Sequence, residues 1–295
     1  MKNIIVGIDF SEGSLNAMKN AIFIAEKFKS KLTLLFVITF DAKIIIGADK
    51  LEKTELYSFV ETKLKKLAAD CKKALPQNII KYKIRTGKVS KEINTEAKEQ
   101  GNALIILGTH GCSGFKEIFI GSSAFRVISG SSCPVLTVRY GARVPKNFTE
   151  ILVVIDDTME TLQKLRPAAN IAKQFFARVH VVGLYPPQFP DIRRTIEKYV
   201  KKTENYFVGK NIRHKTTFIE NNKDTKIDTV LKYAKEHEIN LIIIMKEVEL
   251  AGENVFILAP FSERIVNRSP IPILTVNVNP LIYPGKNKVK DEKRD

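Results

Sequence analysis

Two segments of this chain hold the residue types from which a phosphate site can be built. One is Ile8-Asp9-Phe10-Ser11, directly after an apolar run. The other is Gly108-Thr109-His110-Gly111, followed after nine further residues by Gly121-Ser122-Ser123. Gly108 and Gly111 can adopt positive φ and let the backbone come close to a ligand. Ser122 and Ser123 open a predicted helix. Its first N–H groups have no intrahelical partner and sit at the positive end of the helix dipole. Such a terminus favours an anion, and the serine hydroxyls add donors. The same residues also fit a plainer role, because Ser122 is a good N-cap and glycines are common in turns. Asp9 has three open roles: a hydrogen bond to ribose hydroxyls, a place beside a metal, or a cap on the next helix, with Ser11 as the rival cap.

Other chemistries find less support. No serine or cysteine pairs with His110 at a spacing that suggests a triad. No second acid joins Asp9 to hold Mg²⁺, and there is no Gly-x4-Gly-Lys-Ser/Thr motif. Cys71, Cys112 and Cys133 are too few and too scattered for a disulfide framework or a zinc site. Cys112, in a loop, reads as an ordinary thiol.

These segments must be positioned by strands and helices, and the chain writes that scaffold twice. KNIIVGIDFS (2–11) matches EILVVIDDTM (150–159), with Asp9 on Asp156 at an offset of 147. Leu15, Met18, Ile22 and Ala25 form one apolar helix face, and Leu162, Leu165, Ala169 and Ala172 repeat it. ALIIL (103–107) matches NLIII (240–244), and CPVLTV (133–138) matches IPILTV (271–276), at an offset of 137–138. The second copy therefore lacks about ten residues, placed by this reading in the loop and helix after its second strand.

Each copy reads β-α-β-α-β-α-β-α-β. In the first, strands are predicted near 3–8, 32–37, 79–85, 103–107 and 134–138, and helices near 12–29, 49–75, 89–100 and 122–130. Runs such as IIV and LIIL imply burial on both faces, hence an open, doubly wound parallel sheet covered by helices. In such sheets ligands bind beyond the carboxyl ends of the strands, which is where both segments lie. The domains are expected at 1–140 and 149–279, and the charged stretch 280–295 is expected to be disordered.

The chain has 295 residues and a net charge of +16. Residues 1–148 carry +11 of it and residues 149–295 carry +5. That excess suits a phosphate ligand and raises affinity for any polyanion, yet no nucleic-acid-binding motif accompanies it. Lys63, Lys65, Lys66, Lys72 and Lys73 read as the solvated face of a helix. No apolar run reaches membrane-spanning length and the N-terminus does not resemble a signal peptide, so a cytoplasmic protein is expected.

The motif Gly108-x2-Gly111-x9-Gly121-Ser122 resembles the G-x2-G-x9-G-S/T signature of the ATP-binding branch of the universal stress protein family. IIVGIDFSEGS (4–14) resembles that family's opening strand and aspartate, and CPVLTV its closing strand. The resemblance covers residues 1–140 and extends more weakly over 149–279, as a tandem arrangement. It implies a Rossmann-like (HUP) fold with strand order 3-2-1-4-5 and ATP, ADP or AMP wedged between strands 1 and 4. Asp9 would face the ribose and adenine side, with Phe10 beside it. The backbone around Ile8 and Val37 would border the base. Leu107, Gly108, Thr109 and Gly111 would wrap sugar and phosphates, and Gly121, Ser122 and Ser123 would hold the phosphates. Any Mg²⁺ would be held mainly by those phosphates.

The second copy departs from this pattern. The place of Gly121 holds Ala259, that of Ser122 holds Pro260, and Glu247 and Glu249 would repel phosphate. It is expected not to bind ATP and to act as a structural partner. The resemblance also implies pairing through Val135–Val138 and Ile273–Val276, as an internal pseudo-dimer within a chain that can associate further. The leading functional expectation is a nucleotide-binding stress-response module with little or no turnover. The alternatives are a slow ATPase, or an autophosphorylating protein using Ser122, Ser123 or Thr109, and a nucleotide-free scaffold for partners or polyanions.

Overall fold

The computed structural model describes residues 1–39, 53–109, 122–139, 141, 145, 147–221, 225–246, 248–250, 256–258 and 260–278. The first repeat runs β1 (Asn3–Ile8), α1 (Glu12–Phe28), β2 (Lys31–Ile38), α2 (Lys53–Ala74), β3 (Ile80–Thr86), α3 (Val89–Gln100), β4 (Ala103–Gly108), α4 (Ser122–Gly130) and β5 (Val135–Val138). The second runs β6 (Glu150–Ile155), a 3₁₀ turn (Met159–Lys164), α5 (Leu165–Phe175), β7 (Arg178–Tyr185), α6 (Pro190–Val208), β8 (His214–Glu220), α7 (Lys226–Glu236), β9 (Leu241–Met245), the short strands β10 (Val248–Leu250) and β11 (Phe256–Leu258), α8 (Pro260–Arg268) and β12 (Ile273–Val276).

All strands except β10 and β11 join one ten-stranded sheet, in the order β3-β2-β1-β4-β5-β12-β9-β6-β7-β8. Within each repeat the order is the expected 3-2-1-4-5 and every pairing in this sheet is parallel, while β10 and β11 form a separate antiparallel pair. Alternation along the buried strands sends Ile4, Val6 and Ile8 to the face covered by α1 and α2. Ile5, Leu35 and Val37 go to the face covered by α3 and α4. Both faces are therefore dry, as the unbroken apolar runs require.

The repeats meet at β5 and β12, whose pairing is antiparallel, with Leu136 opposite Leu274. Thr137 Oγ1 donates to the Ile273 carbonyl at 3.3 Å, and Thr275 Oγ1 donates to the Val135 carbonyl at 3.1 Å. These reciprocal bonds mark a pseudo-twofold axis. On the α1 face the seam is closed by Phe23, Phe148 and Phe175, with ring centroids 5.0–5.3 Å apart. Pairing covers two apolar strands that would otherwise be exposed edges.

One local reading is corrected. The opening helix of the second repeat is interrupted, because Leu162 lies in a 3₁₀ turn and α5 begins only at Leu165. Pro167, in the first turn of α5, has no N–H to give the Gln163 carbonyl, so the α-helical ladder does not run on from the 3₁₀ turn into α5. The missing residues lie in the second crossover, as expected, and exceed ten. From the start of the second strand to the start of the third is 49 residues in the first repeat (31 to 80) and 36 in the second (178 to 214). The next interval grows from 23 (80 to 103) to 27 (214 to 241). A shorter second crossover is thus partly offset by a longer third one.

The five lysines read as a solvated face are all exposed on α2, while Leu56, Val60 and Leu64 are buried beneath them. Among the described residues no helix is long and apolar enough to cross a membrane. Residues 49–52 of the second predicted helix lie outside the described residues, as does the tail 280–295.

Candidate functional site

Asp9 lies directly beyond β1, at the crevice where strand order reverses between β1 and β4. Its Oδ1 accepts from the Ser11 N–H at 3.0 Å and from the Ser11 hydroxyl at 2.5 Å. Ser11 is the N-cap of α1, its hydroxyl accepting from the Ser14 N–H. The capping role left open for Asp9 therefore belongs to Ser11. Asp9 orients that cap, and the Ser14 hydroxyl closes the turn by accepting from the Asp9 N–H at 3.3 Å.

Phe10 takes a left-handed backbone with φ of 63°. Its ring stacks on Phe36 at 5.1 Å, and the Lys63 ammonium lies 5.2 Å from the ring centre. The turn thus points Phe10 into the α1–α2 face. Ile8 and Val37 are buried at the ends of β1 and β2.

Gly108 ends β4. A Cβ there would lie 2.5 Å from the Gly13 carbonyl carbon, 2.6 Å from its oxygen and 2.9 Å from the Ser14 nitrogen. The end of β4 and the first turn of α1 therefore meet backbone to backbone, which only a glycine permits. Thr109 is buried, and its N–H donates to the Val138 carbonyl at 3.0 Å. The structure brings Ile8, Asp9, Gly108 and Thr109 to one edge of the sheet, with Leu107 in the β4 core and Ser123 exposed in the first turn of α4. That turn carries no acidic residue, whereas α8 has Glu263 in its first turn. Ser122 is the first residue of α4. Gly111, Gly121, His110 and Cys112 lie outside the described residues. Among the described residues, no group of three His, Cys, Asp or Glu could hold a metal ion.

The second repeat keeps the same turn and fills its centre. Asp156 Oδ1 accepts from the Thr158 N–H at 2.9 Å and from its hydroxyl, and Oδ2 accepts from the Thr161 hydroxyl at 3.1 Å. The Lys164 ammonium stands 3.5 Å from Oδ2 and donates to the Thr161 hydroxyl at 2.8 Å. Lys164 is 1% exposed. Burial pushes the Asp156 carboxyl up, but Lys164 and the Thr158 hydrogen bonds outweigh it and hold it below its ordinary value. Lys164 was missed in the sequence reading, although the 147-residue offset places it on Ala17.

A second polar centre recurs away from this edge, under α3 and α7. In the first repeat, buried Glu96 accepts from Gln100 and pairs with Lys83 at 2.7 Å and Arg85 at 2.6 Å. In the second, the equivalent positions form a chain. The Thr217 hydroxyl lies 3.3 Å from the Tyr233 hydroxyl, which lies 3.1 Å from His180 Nδ1, and His180 Nε2 lies 2.7 Å from Glu150. A neutral imidazole protonated on Nε2 satisfies every member.

The family described as Usp, Universal stress protein family, matches residues 1–139 and again 147–277. The chain belongs to that family, as a tandem of two such units. It is 33% identical over 144 residues to Universal stress protein MJ0531 of Methanocaldococcus jannaschii, covering 47% of this chain and 82% of the relative. It is 29% identical over 144 residues to Universal stress protein YxiE of Bacillus subtilis, covering 46% of this chain and 97% of the relative. A crystal structure of a universal stress protein from Archaeoglobus fulgidus shares the fold with a TM-score of 0.75, 20% identity, and coverage of 94% of this chain and 98% of its own.

Proposed function

We propose that the first repeat binds an adenine nucleotide, ATP or a close relative, in the crevice between the ends of β1 and β4, and that the protein acts as a nucleotide-responsive binding module in the stress response. One observation carries this reading: Gly108 lets the end of β4 meet the Gly13–Ser14 backbone next to the Asp9 turn, so backbone groups border this end of the crevice. In the first repeat, Asp9 would meet ribose hydroxyls. The backbone around Gly108 and Thr109 would line the sugar and phosphates, and the N-terminus of α4 would face the phosphates. The second repeat holds no nucleotide in this reading and serves as the structural partner across β5 and β12.

Titration calorimetry with ATP tests the proposal. The wild type should bind, and Gly121→Val should not, because a branched side chain would fill the phosphate space implied by the family motif. Equal affinity of the two proteins would refute it.

A further inference from the structure

The second repeat reaches helix α4 of the proposed site directly. Lys246 follows β9, and its backbone N–H donates to the Val276 carbonyl at 2.7 Å. Thr109 makes the same backbone bond, to Val138, in the first repeat. The two residues are equivalent, yet their side chains part ways. Thr109 is buried in its own repeat. The Lys246 ammonium crosses the seam and donates to the Ser129 carbonyl at 3.1 Å and the Ser131 carbonyl at 2.8 Å. Those carbonyls are at the C-terminal end of α4, where the helix leaves acceptors without intrahelical donors and the dipole is negative.

Other groups of the second repeat reach the same turn. The Asn277 side chain donates to the Cys133 carbonyl at 2.7 Å. Strand β11 lies against α4. Lys246 is partly buried, and that burial pulls its proton affinity down, so it depends on its two carbonyls. Helix α4 is nine residues long, too short to be stable by itself, and its order comes from what grips it.

We infer that Lys246 is a positioning residue for the nucleotide site of the other repeat. Resting on the reading above, the inference is that Lys246 anchors the C-terminal end of α4 so that the N-terminal amides of the same helix are held in place for phosphate. The second repeat thereby sets the affinity of the first without touching the ligand.

The test is ATP titration of the full chain as wild type, Lys246→Met and Lys246→Arg, with amide exchange read over residues 122–131. Lys246→Met should bind ATP roughly three- to tenfold more weakly, within the roughly two- to thirtyfold span of a remote residue coupled through packed elements. Exchange over 122–131 should speed up, and Lys246→Arg, which can still donate to both carbonyls, should recover both readouts. If Lys246→Met does not fold, Lys246→Gln must show the same loss. Wild-type binding with unchanged affinity in the variants overturns the inference and leaves the nucleotide reading intact. A loss of affinity without faster exchange over 122–131 also overturns it. Absence of ATP binding by the wild type overturns the nucleotide reading itself.

Discussion

Asp156 and Lys164 form a buried ion pair inside the second repeat, with Nζ 3.5 Å from Oδ2, at positions where the first repeat has Asp9 and Ala17. Removing one member leaves the other buried without its partner. Lys164→Met should therefore cost about 3 kcal/mol, the low end for such pairs, since Thr158 and Thr161 still donate to the carboxylate. Asp156 is held below its unfolded value, so its contribution is present above pH 3.8 and is lost as pH falls through the folded value. Without Lys164 that loss should begin at higher pH. Urea midpoints at pH 7 and acid-unfolding curves of the two proteins check both points, and identical curves would contradict them.

Gly108→Ala would drive a methyl group into the Gly13 backbone, where the clash cannot be relieved by a rotamer change. Overpacking of this kind costs about 1–3 kcal/mol. It should also push the first turn of α1, and Asp9 with it, away from β4 and remove nucleotide binding. Gly101→Ala is the control. Nothing lies within 4 Å of the added carbon, but its backbone (φ 57°, ψ 157°) lies in a region essentially reserved for glycine, so it should cost about 1–3 kcal/mol of backbone strain and leave binding intact. Calorimetry and thermal unfolding of both variants distinguish the two effects.

His180 should make stability fall on mild acidification. Burial pulls its imidazole below the ordinary value, while Glu150 raises it and Lys215 and His237 lower it further. Tyr233 also faces it, and Arg178 shares Glu150 at 3.1 Å. An imidazole with a lowered folded pKa is neutral when folded and takes up a proton more readily when unfolded. Its contribution is therefore full above about pH 6.5 and is lost as pH drops below that. The unfolding midpoint of the wild type should fall more steeply between pH 7 and pH 5.5 than that of His180→Gln. Parallel slopes would contradict this assignment.

Much of the fold was legible because burial on both faces writes itself into unbroken runs such as IIV and LIIL, and because the pattern occurs twice. The matched strands and the Leu15–Ala25 helix face needed no tertiary information. What the sequence did not disclose depends on where long polar side chains end. Lys164 and Lys246 look like ordinary surface lysines in any window, and only the register between repeats places one beside Asp156 and the other on the α4 carbonyls. Glu96, on a helix with a polar majority, is buried because Lys83 and Arg85 on β3 close over it. The break before Pro167 was visible as a proline but was outweighed by the apolar spacing that the helix shares with its twin.

On this reading the chain carries one working nucleotide site. This is tested most directly by releasing bound small molecules from purified protein by denaturation, identifying them by mass, and titrating the emptied protein with ATP. The account predicts an adenine nucleotide and a stoichiometry of one per chain, unchanged in Asp156→Asn and abolished in Gly108→Ala. No adenine nucleotide in the extract together with no heat on titration with millimolar ATP would contradict it, as would two equivalent sites per chain.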